Sequence, residues 1–452
     1  MIDVATAQER CSAAIVAARQ AGADQADAVA IAESSEGVSV RLGTLEDVER
    51  SESEGIALRV FVGQRSATVS ASDFGTQAFR EMAERAVAMA RLAPEDPYSG
   101  LVEPADLACG PADVDGLDLI DRHEAAPELL RARALEAEDA ARCVEGVSNS
   151  EVAAASFNRT VAALATSHGF EGGYGATSHG LYCGVIAGEG ARMQRDYDQR
   201  VARHLEDLPP PREIGRKAGE RAVARLDPTG MPSRSMPVVF DRRVSSSIVG
   251  HLVAAMSGAA AARKASFLAG REDDELFAQD IRISEDPHKR RGLRSRPFDG
   301  EGVATSKRDL VVNGRMFGWL TNLAAARQLE APLTGHASRG SAGVPGTSVA
   351  NLDMMPGHVT REAMIAEIAE GVLVTHVFGQ GVNQVTGDYS RGAGGFRIRN
   401  GEIAEAVAEF TIAGNLIDMF ARMTAADDPE THRAINVPTL RIDGMTVAGD
   451  GA

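Results

Sequence analysis

The 452-residue sequence has few of the features that mark secreted or membrane-spanning proteins. Its four cysteines are far apart and form no Cys-x-x-Cys pair, which predicts isolated, reduced thiols rather than a disulfide framework. No segment approaches the roughly 18 uninterrupted apolar residues of a membrane span, and the first residues are neither basic nor apolar. These absences favour a cytoplasmic protein that does not associate with a membrane.

Basic residues are also scarce. The chain has 47 Lys and Arg against 64 Asp and Glu, which gives a formal net charge of −17 at pH 7. A protein that binds nucleic acid without regard to sequence needs basic surface to displace counterions from the phosphates. We therefore expect no nucleic-acid partner. The hydrophobic content of 44% is ordinary for a globular protein of two or three domains.

Residue periodicity predicts a mixed α+β fold. Alternating segments between 28 and 70 predict an antiparallel meander with one solvated face, and amphipathic helices are predicted over 76–92 and 121–142. A proline-rich, polar stretch then leads into a last helix. We place a boundary after that helix. It separates an N-terminal domain with an antiparallel sheet (1–225) from a β-rich C-terminal domain built around a buried central helix (230–452).

The central helix is predicted from 243 to 258. Its apolar residues recur at helical spacing and form one buried stripe, which consists of Val244, Ile248, Val249, Leu252, Val253 and Met256. The serines before Ile248 are candidate caps for its first turn. A second face, almost free of large side chains, carries Ser247, Gly250, His251, Ala254 and Gly258. We expect another segment to come close to this face.

Five short motifs follow the helix in the sequence. They are Pro297 to Gly302, Thr334 to Arg339, Thr386 to Ser390, Gly395 to Ile398 and Thr411 to Leu416. Together with the helix, they resemble the C-terminal domain of the TldD/PmbA (TldE) family. In the TldD-type subunit of that family, the equivalent helix carries a His-Glu-x-x-x-His motif that binds a catalytic metal, and a cysteine near the C-terminus completes the site.

Neither the motif nor the cysteine occurs here. Aligning the pair Arg263-Lys264 places Gly250 at the first histidine, His251 at the glutamate and Ala255 at the second histidine, and no cysteine follows Thr431. The chain therefore resembles the PmbA/TldE-type subunit, which lacks the metal site. This resemblance implies that the chain has no catalytic residue and no cofactor of its own. It also implies a metal, zinc, in a TldD-like partner.

The resemblance implies a role in a substrate cleft. The candidate cleft residues are His251, His336, Arg339, Asp388 and Tyr389. We expect the Gly/Ser-rich loop 334–347 and the turn 388–395 to border an open groove beside the helix. Glycine permits close backbone approach there, and an exposed strand edge can pair with an extended peptide.

Three functions are compatible with these patterns. In the first, the chain is the non-catalytic subunit of a heterodimeric TldD/TldE-type metallopeptidase that processes peptides and unfolded proteins. It would pair with a TldD-like subunit and form a symmetric homodimer when alone, burying more than about 1,000 Å² through its C-terminal half. In the second, it is a stand-alone homodimeric module that binds peptides or proteins. In the third, it is a metallopeptidase with an unorthodox metal site.

Overall fold

The computed structural model describes residues 1–109, 114–272, 274–340 and 343–451. The helices are α1 (Val4–Gln20), α2 (Thr76–Leu92), α3 (Val114–Leu117), α4 (Pro127–Arg142), α5 (Pro211–Ala224), α6 (Arg242–Ala255), α7 (Gly258–Ala262), α8 (Leu323–Leu329), α9 (Arg361–Ala366) and α10 (Leu416–Ala421). The strands of the first half are β1 (Gln25–Arg41), β2 (Thr44–Val62), β3 (Arg65–Ala71), β4 (Val147–Thr166), β5 (Glu171–Ala187) and β6 (Gln194–Ala202). Those of the second half are β7 (Arg234–Phe240), β8 (Ile283–Asp286), β9 (Arg308–Val312), β10 (Arg315–Met316), β11 (Ala337–Ser338), β12 (Gly346–Thr347), β13 (Asn351–Met354), β14 (Glu370–Phe378), β15 (Asp388–Arg399), β16 (Glu402–Asn415), β17 (Met423–Ala425), β18 (Ile435–Asn436) and β19 (Leu440–Ala448).

The first half forms a six-stranded antiparallel sheet in the order β3-β2-β1-β4-β5-β6. One face is lined by small residues such as Ala30 and Ala163, which let α1 and α2 pack closely on the sheet. Further along the same strands, α4 and α5 cover Val38 and its neighbours. The two helices touch so tightly that a Cβ on Gly215 would lie 1.8 Å from the carbonyl oxygen of Ala137. Both the sheet face under the helices and the contact between α4 and α5 therefore require small side chains.

The helix predicted over 121–142 begins later, at Pro127. The reason lies in Asp121, whose carboxylate accepts hydrogen bonds from the backbone N–H groups of His123 (2.9 Å) and Leu205 (2.8 Å). These contacts hold the preceding segment in a loop, and proline is favoured in the first helical turn because its missing N–H has no partner there.

The second half contains two larger sheets. Strands β16, β15, β14, β7 and β19 are neighbours in that order, and pairing of β16 with β19 closes the sheet on itself. Two hairpins turn at Asn-Gly pairs as predicted, with left-handed φ at Asn313 (51°) and Asn400 (50°). A second sheet has the order β10-β9-β8-β13-β18. The predicted mixed α+β fold is confirmed. Every helix among the described residues is too short or too polar to cross a membrane.

Helix α6 packs its apolar stripe against β7, β14 and β18, and its opposite face is partly exposed. Ile248, Val249 and Leu252 are the centre of its buried stripe. The N-cap is Asp241, whose carboxylate accepts from the Arg243 N–H at 3.0 Å. The serines are therefore not caps. Ser247 instead donates to the carbonyl of Val244 at 2.6 Å.

A buried ion network joins the two halves of the chain. Asp27 lies on the sheet face opposite the helices, and its carboxylate contacts Arg59 from β2 (Nε at 3.0 Å) and Arg339 from the second half (Nη1 at 2.8 Å). Glu301 lies 3.6 Å from Arg59 and accepts from the Leu323 N–H at 2.7 Å. Side-chain exposure is 1% for both Asp27 and Arg339. The halves therefore meet through charges shielded from water.

A second contact between the halves is expected to make stability depend on pH. Arg225 Nη2 lies 3.1 Å from His376 Nε2, and burial together with the Arg225 charge lowers the pKa of His376 to about 4. Unfolding restores an ordinary pKa near 6.5, so the unfolded chain binds more protons between about pH 4 and 6.5. Stability is therefore fully present above this window and falls as the pH drops through it.

We expect the His376→Gln variant to lose less stability in acid. Glutamine keeps a hydrogen-bond acceptor for Arg225 but does not titrate, so the free energy of unfolding should fall by about 2 kcal/mol less than in the wild type between pH 7 and 4.5. Urea unfolding at several pH values measures this difference. His123→Gln is the matched control, since that side chain is 83% exposed. Parallel pH profiles for the wild type and His376→Gln would contradict the prediction.

Candidate functional site

An open cavity of about 940 Å³ lies beside α6. His251 projects into it from the helix, and the opposite wall consists of residues 379–384 and the start of β15, from Asp388 to Arg391. The wall is held to β15 by backbone hydrogen bonds, one of which runs from the Ser390 N–H to the Gly381 carbonyl at 2.6 Å. A Cβ at Gly381 would lie 1.8 Å from the Ser390 carbonyl oxygen, so only glycine allows this close approach.

Three polar atoms of the cavity are buried without a hydrogen-bond partner among the described residues. They are Nε2 of His251, the hydroxyl of Tyr389 and Oε1 of Gln384. The His251 and Tyr389 rings meet edge to face with centroids 5.9 Å apart. Because buried polar groups are nearly always hydrogen-bonded, these atoms indicate a site for water or for a polar ligand.

The two rings are uncharged at neutral pH. Burial, with a smaller effect from the Arg391 charge, lowers the pKa of His251, and burial raises the pKa of Tyr389 to about 12. At the rim, hydrogen bonds from Thr386 and Asn415 lower the pKa of the Asp388 carboxyl. Neutral donors and acceptors in a large open cavity are suited to binding a polar chain such as a peptide backbone.

Removing the Tyr389 hydroxyl is expected to leave the fold intact. The Tyr389→Phe variant keeps the buried ring and deletes a group without a partner, so the free energy of unfolding should be unchanged or higher by up to about 1 kcal/mol. Urea unfolding measures this, with Tyr98→Phe on the surface as the control. A loss of more than about 1 kcal/mol would show that the hydroxyl has a structural partner.

The structure brings together three of the five candidate cleft residues: His251, Asp388 and Tyr389. His336 is 1% exposed, and its Nε2 lies 2.6 Å from Oε2 of Glu285 in β8. Arg339 belongs to the ion network with Asp27. Neither lines the cavity. The turn at 388–391 borders the cavity as expected, but Thr334, His336 and Arg339 of the loop face the protein interior, and positions 341 and 342 lie outside the described residues.

Family models and curated relatives of known proteins match almost the whole chain. The models of three PmbA/TldA metallopeptidase domains match the chain: domain 1 at 26–90, the central domain at 114–226 and the C-terminal domain at 233–449. Metalloprotease PmbA of Escherichia coli O157:H7 is 34% identical over 91% of this chain and 89% of its own length. The chain belongs to the PmbA/TldD metallopeptidase family.

Two other relatives extend this result. A metalloprotease PmbA homologue of Haemophilus influenzae is 35% identical over 98% of this chain and 96% of its own length. The crystal structure of TldE from Thermococcus kodakarensis superposes with a TM-score of 0.83 at 20% identity, covering 97% of this chain and all of that one. At that identity, the superposition shows a shared fold.

The residues that the motif alignment places at the ligand positions of a TldD-type chain do not fit a metal. Gly250 has no ligand atom, and Ala255 is 1% exposed and faces the core. Among the described residues that line the cavity, His251 supplies the one imidazole, and a catalytic metal needs three protein ligands. No group of three His, Cys, Asp or Glu side chains in the described part of the chain is arranged to hold an ion.

Sequence reasoning did not name Gln384, and it included Arg391 only as part of the turn 388–395, not among the candidate cleft residues. Gln384 lies just before the Thr386 motif, and Arg391 directly follows it. The nearest signal was the Gly379-Gln380-Gly381 segment, whose glycines predict a tight turn. Extending the cleft prediction to both flanks of the motif would have found them.

Proposed function

We propose that this chain is a PmbA/TldE-type subunit that carries out no hydrolysis itself. It would dock onto a TldD-type catalytic chain, which supplies the metal, and contribute one wall of the cleft that receives an extended peptide. The observation that carries this proposal is the identity of the residues at the three aligned ligand positions. Gly250 has no ligand atom, His251 supplies an imidazole, and Ala255 is buried.

The exposed face of α6 supports docking. A Cβ added to Gly250 would meet no described atom within 4 Å, and Ala254 is exposed one turn further along. The sequence pattern predicted a close neighbour for this face, and the chain itself does not provide one at Gly250. A partner subunit would therefore be free to approach the helix backbone here.

The cavity wall supports peptide binding. Residues 381–383 form backbone contacts with β15 on one side, including a bridge between Val382 and Tyr389. Phe378 and Val385 flank the wall and are 50% and 56% exposed. An extended peptide would find apolar side-chain contacts there and the unpaired polar atoms of His251, Tyr389 and Gln384 behind them.

Mixing experiments test the proposal. The chain, the TldD-type chain of the same organism and the mixture of the two are assayed for hydrolysis of a fluorescent unstructured peptide, with light scattering and elemental analysis in parallel. We expect activity from the mixture, a heterodimer, and close to one metal per heterodimer held by the TldD-type chain.

The alternatives give different results. Metal-dependent hydrolysis by the chain alone would overturn the proposal in favour of a metallopeptidase with an unorthodox site. A homodimer that binds the peptide but never exchanges with the TldD-type chain would favour a stand-alone binding module. Introducing His, Glu and His at Gly250, His251 and Ala255 should not create activity, because the third ligand is still missing.

A further inference from the structure

A second cavity, of about 540 Å³, lies between the two halves of the chain. Its walls come from the end of β6 and the loop that follows it (200–209), from Lys217 in the middle of α5 and from the segments 289–293 and 431–433. The described residues that line it include seven arginine and lysine side chains but two carboxylates, Glu206 and Asp207. In a chain with a net charge of −17, such a concentration of positive charge requires an explanation.

Most of these cations have carboxylate partners. Both lining carboxylates are bound by Arg291, at 2.6 Å from Glu206 and 3.1 Å from Asp207. Four other cations pair with carboxylates outside the lining: Arg200 with Asp198, Lys289 with Asp353, Arg290 with Asp118 and Arg433 with Glu430. These ion pairs fix the cavity walls and leave little free charge of their own.

Arg203 and Lys217 differ from the rest. Neither has a carboxylate within 4.0 Å among the described residues. Arg203 donates to the carbonyl oxygens of Thr177 (3.0 Å), Gly292 (3.3 Å) and Leu293, and burial lowers its pKa. These bonds use three of the five guanidinium N–H groups, so two remain. Two half-buried cations thus line one cavity, and neither is paired with a carboxylate among the described residues.

We propose that this cavity binds a small molecule that carries two anionic groups. Arg203 would bind one group through its free N–H donors, which suit phosphate or carboxylate oxygens, and Lys217 would meet the other as a point charge. The cavity volume is within the range of ordinary ligand sites. The bound dianion supplies the missing counter-charge. This site is separate from the α6 cavity and does not depend on the subunit role proposed above.

Calorimetric titration of the purified chain at constant ionic strength tests the site. Pyrophosphate and succinate are the two probes, since they present the same number of anionic groups on phosphate and carboxylate chemistry. We expect saturable binding of at least one, and the preferred probe identifies the chemical class of the natural ligand. Lys217→Gln should weaken that binding at least tenfold, because a charge-assisted hydrogen bond is lost.

Lys264→Gln is the matched control. It removes the same charge from an exposed position that does not line the cavity, so binding should change by less than twofold. Because the Lys217 side chain has no hydrogen bond or ion pair among the described residues, the variant should unfold at nearly the same urea concentration as the wild type. Absence of saturable binding of both probes would overturn the proposal, as would equal weakening by Lys217→Gln and Lys264→Gln.

Discussion

Replacing Asp27 by asparagine is expected to lower the free energy of unfolding by about 3–5 kcal/mol, the usual cost of removing one member of a buried ion network. Asparagine keeps the shape of the side chain, so the variant isolates the charge. Without it, the guanidinium groups of Arg59 and Arg339 remain buried, with Glu301 as the nearest carboxylate at 3.6 Å from Arg59. The native network also lowers the pKa of Asp27: burial opposes ionisation, but the Arg339 and Arg59 charges outweigh it.

Urea unfolding at pH 7 measures this loss, followed by fluorescence and circular dichroism so that separate unfolding of the two halves would be seen. Asp106→Asn is the control, since Asp106 is exposed in a surface turn. The double variant Asp27→Asn/Arg339→Met should lose less than the sum of the single losses, because each change removes the other's unpaired charge. A loss below about 1 kcal/mol for Asp27→Asn would show that the network is solvated.

Sequence reasoning found the elements whose signals are local. The Asn-Gly hairpins, the amphipathic helix α2 and the apolar stripe of α6 depend on neighbouring residues, and the structure contains all three. It failed where a distant residue decides the outcome. The family motif containing His336 and Arg339 was assigned to the cleft, but Glu285 and Asp27 hold these side chains in the interior. A family motif shows that certain residues are needed at those positions, but it does not show whether they are needed for the fold or for the functional site.

The α6 cavity was predicted only in part, because some of its residues have a local sequence signal and others do not. His251 stood out because helical periodicity placed it off the apolar stripe, and Asp388 and Tyr389 stood out through their motif. The orphaned Gln384 oxygen becomes visible only when β15 and the 379–384 wall are placed together. The basic cavity was not predicted at all, since its cations come from segments far apart in the sequence and each alone resembles ordinary surface charge.

The largest functional effect is expected from a bulky side chain at Gly250. In the isolated chain, a Cβ added here would meet no described atom within 4 Å, so both Gly250→Ala and Gly250→Trp should fold. Alanine should raise the free energy of unfolding by about 0.5–1 kcal/mol, because glycine is the poorer helix former. Tryptophan fills the volume that a partner needs in order to approach the helix backbone. We therefore expect Gly250→Trp to weaken heterodimer formation at least 100-fold, or about 3 kcal/mol.

Light scattering of mixtures with the TldD-type chain, together with hydrolysis of the unstructured peptide, measures this effect. Gly250→Ala should assemble and support hydrolysis like the wild type. This variant distinguishes the steric effect of the tryptophan side chain from the effect of removing glycine. Val16→Trp adds the same side chain to an exposed position of α1 and should leave assembly unchanged. Normal assembly and activity with Gly250→Trp would exclude the exposed face of α6 as the docking surface. The partner would then have to contact another part of the chain, and the small residues of this face would need a different explanation.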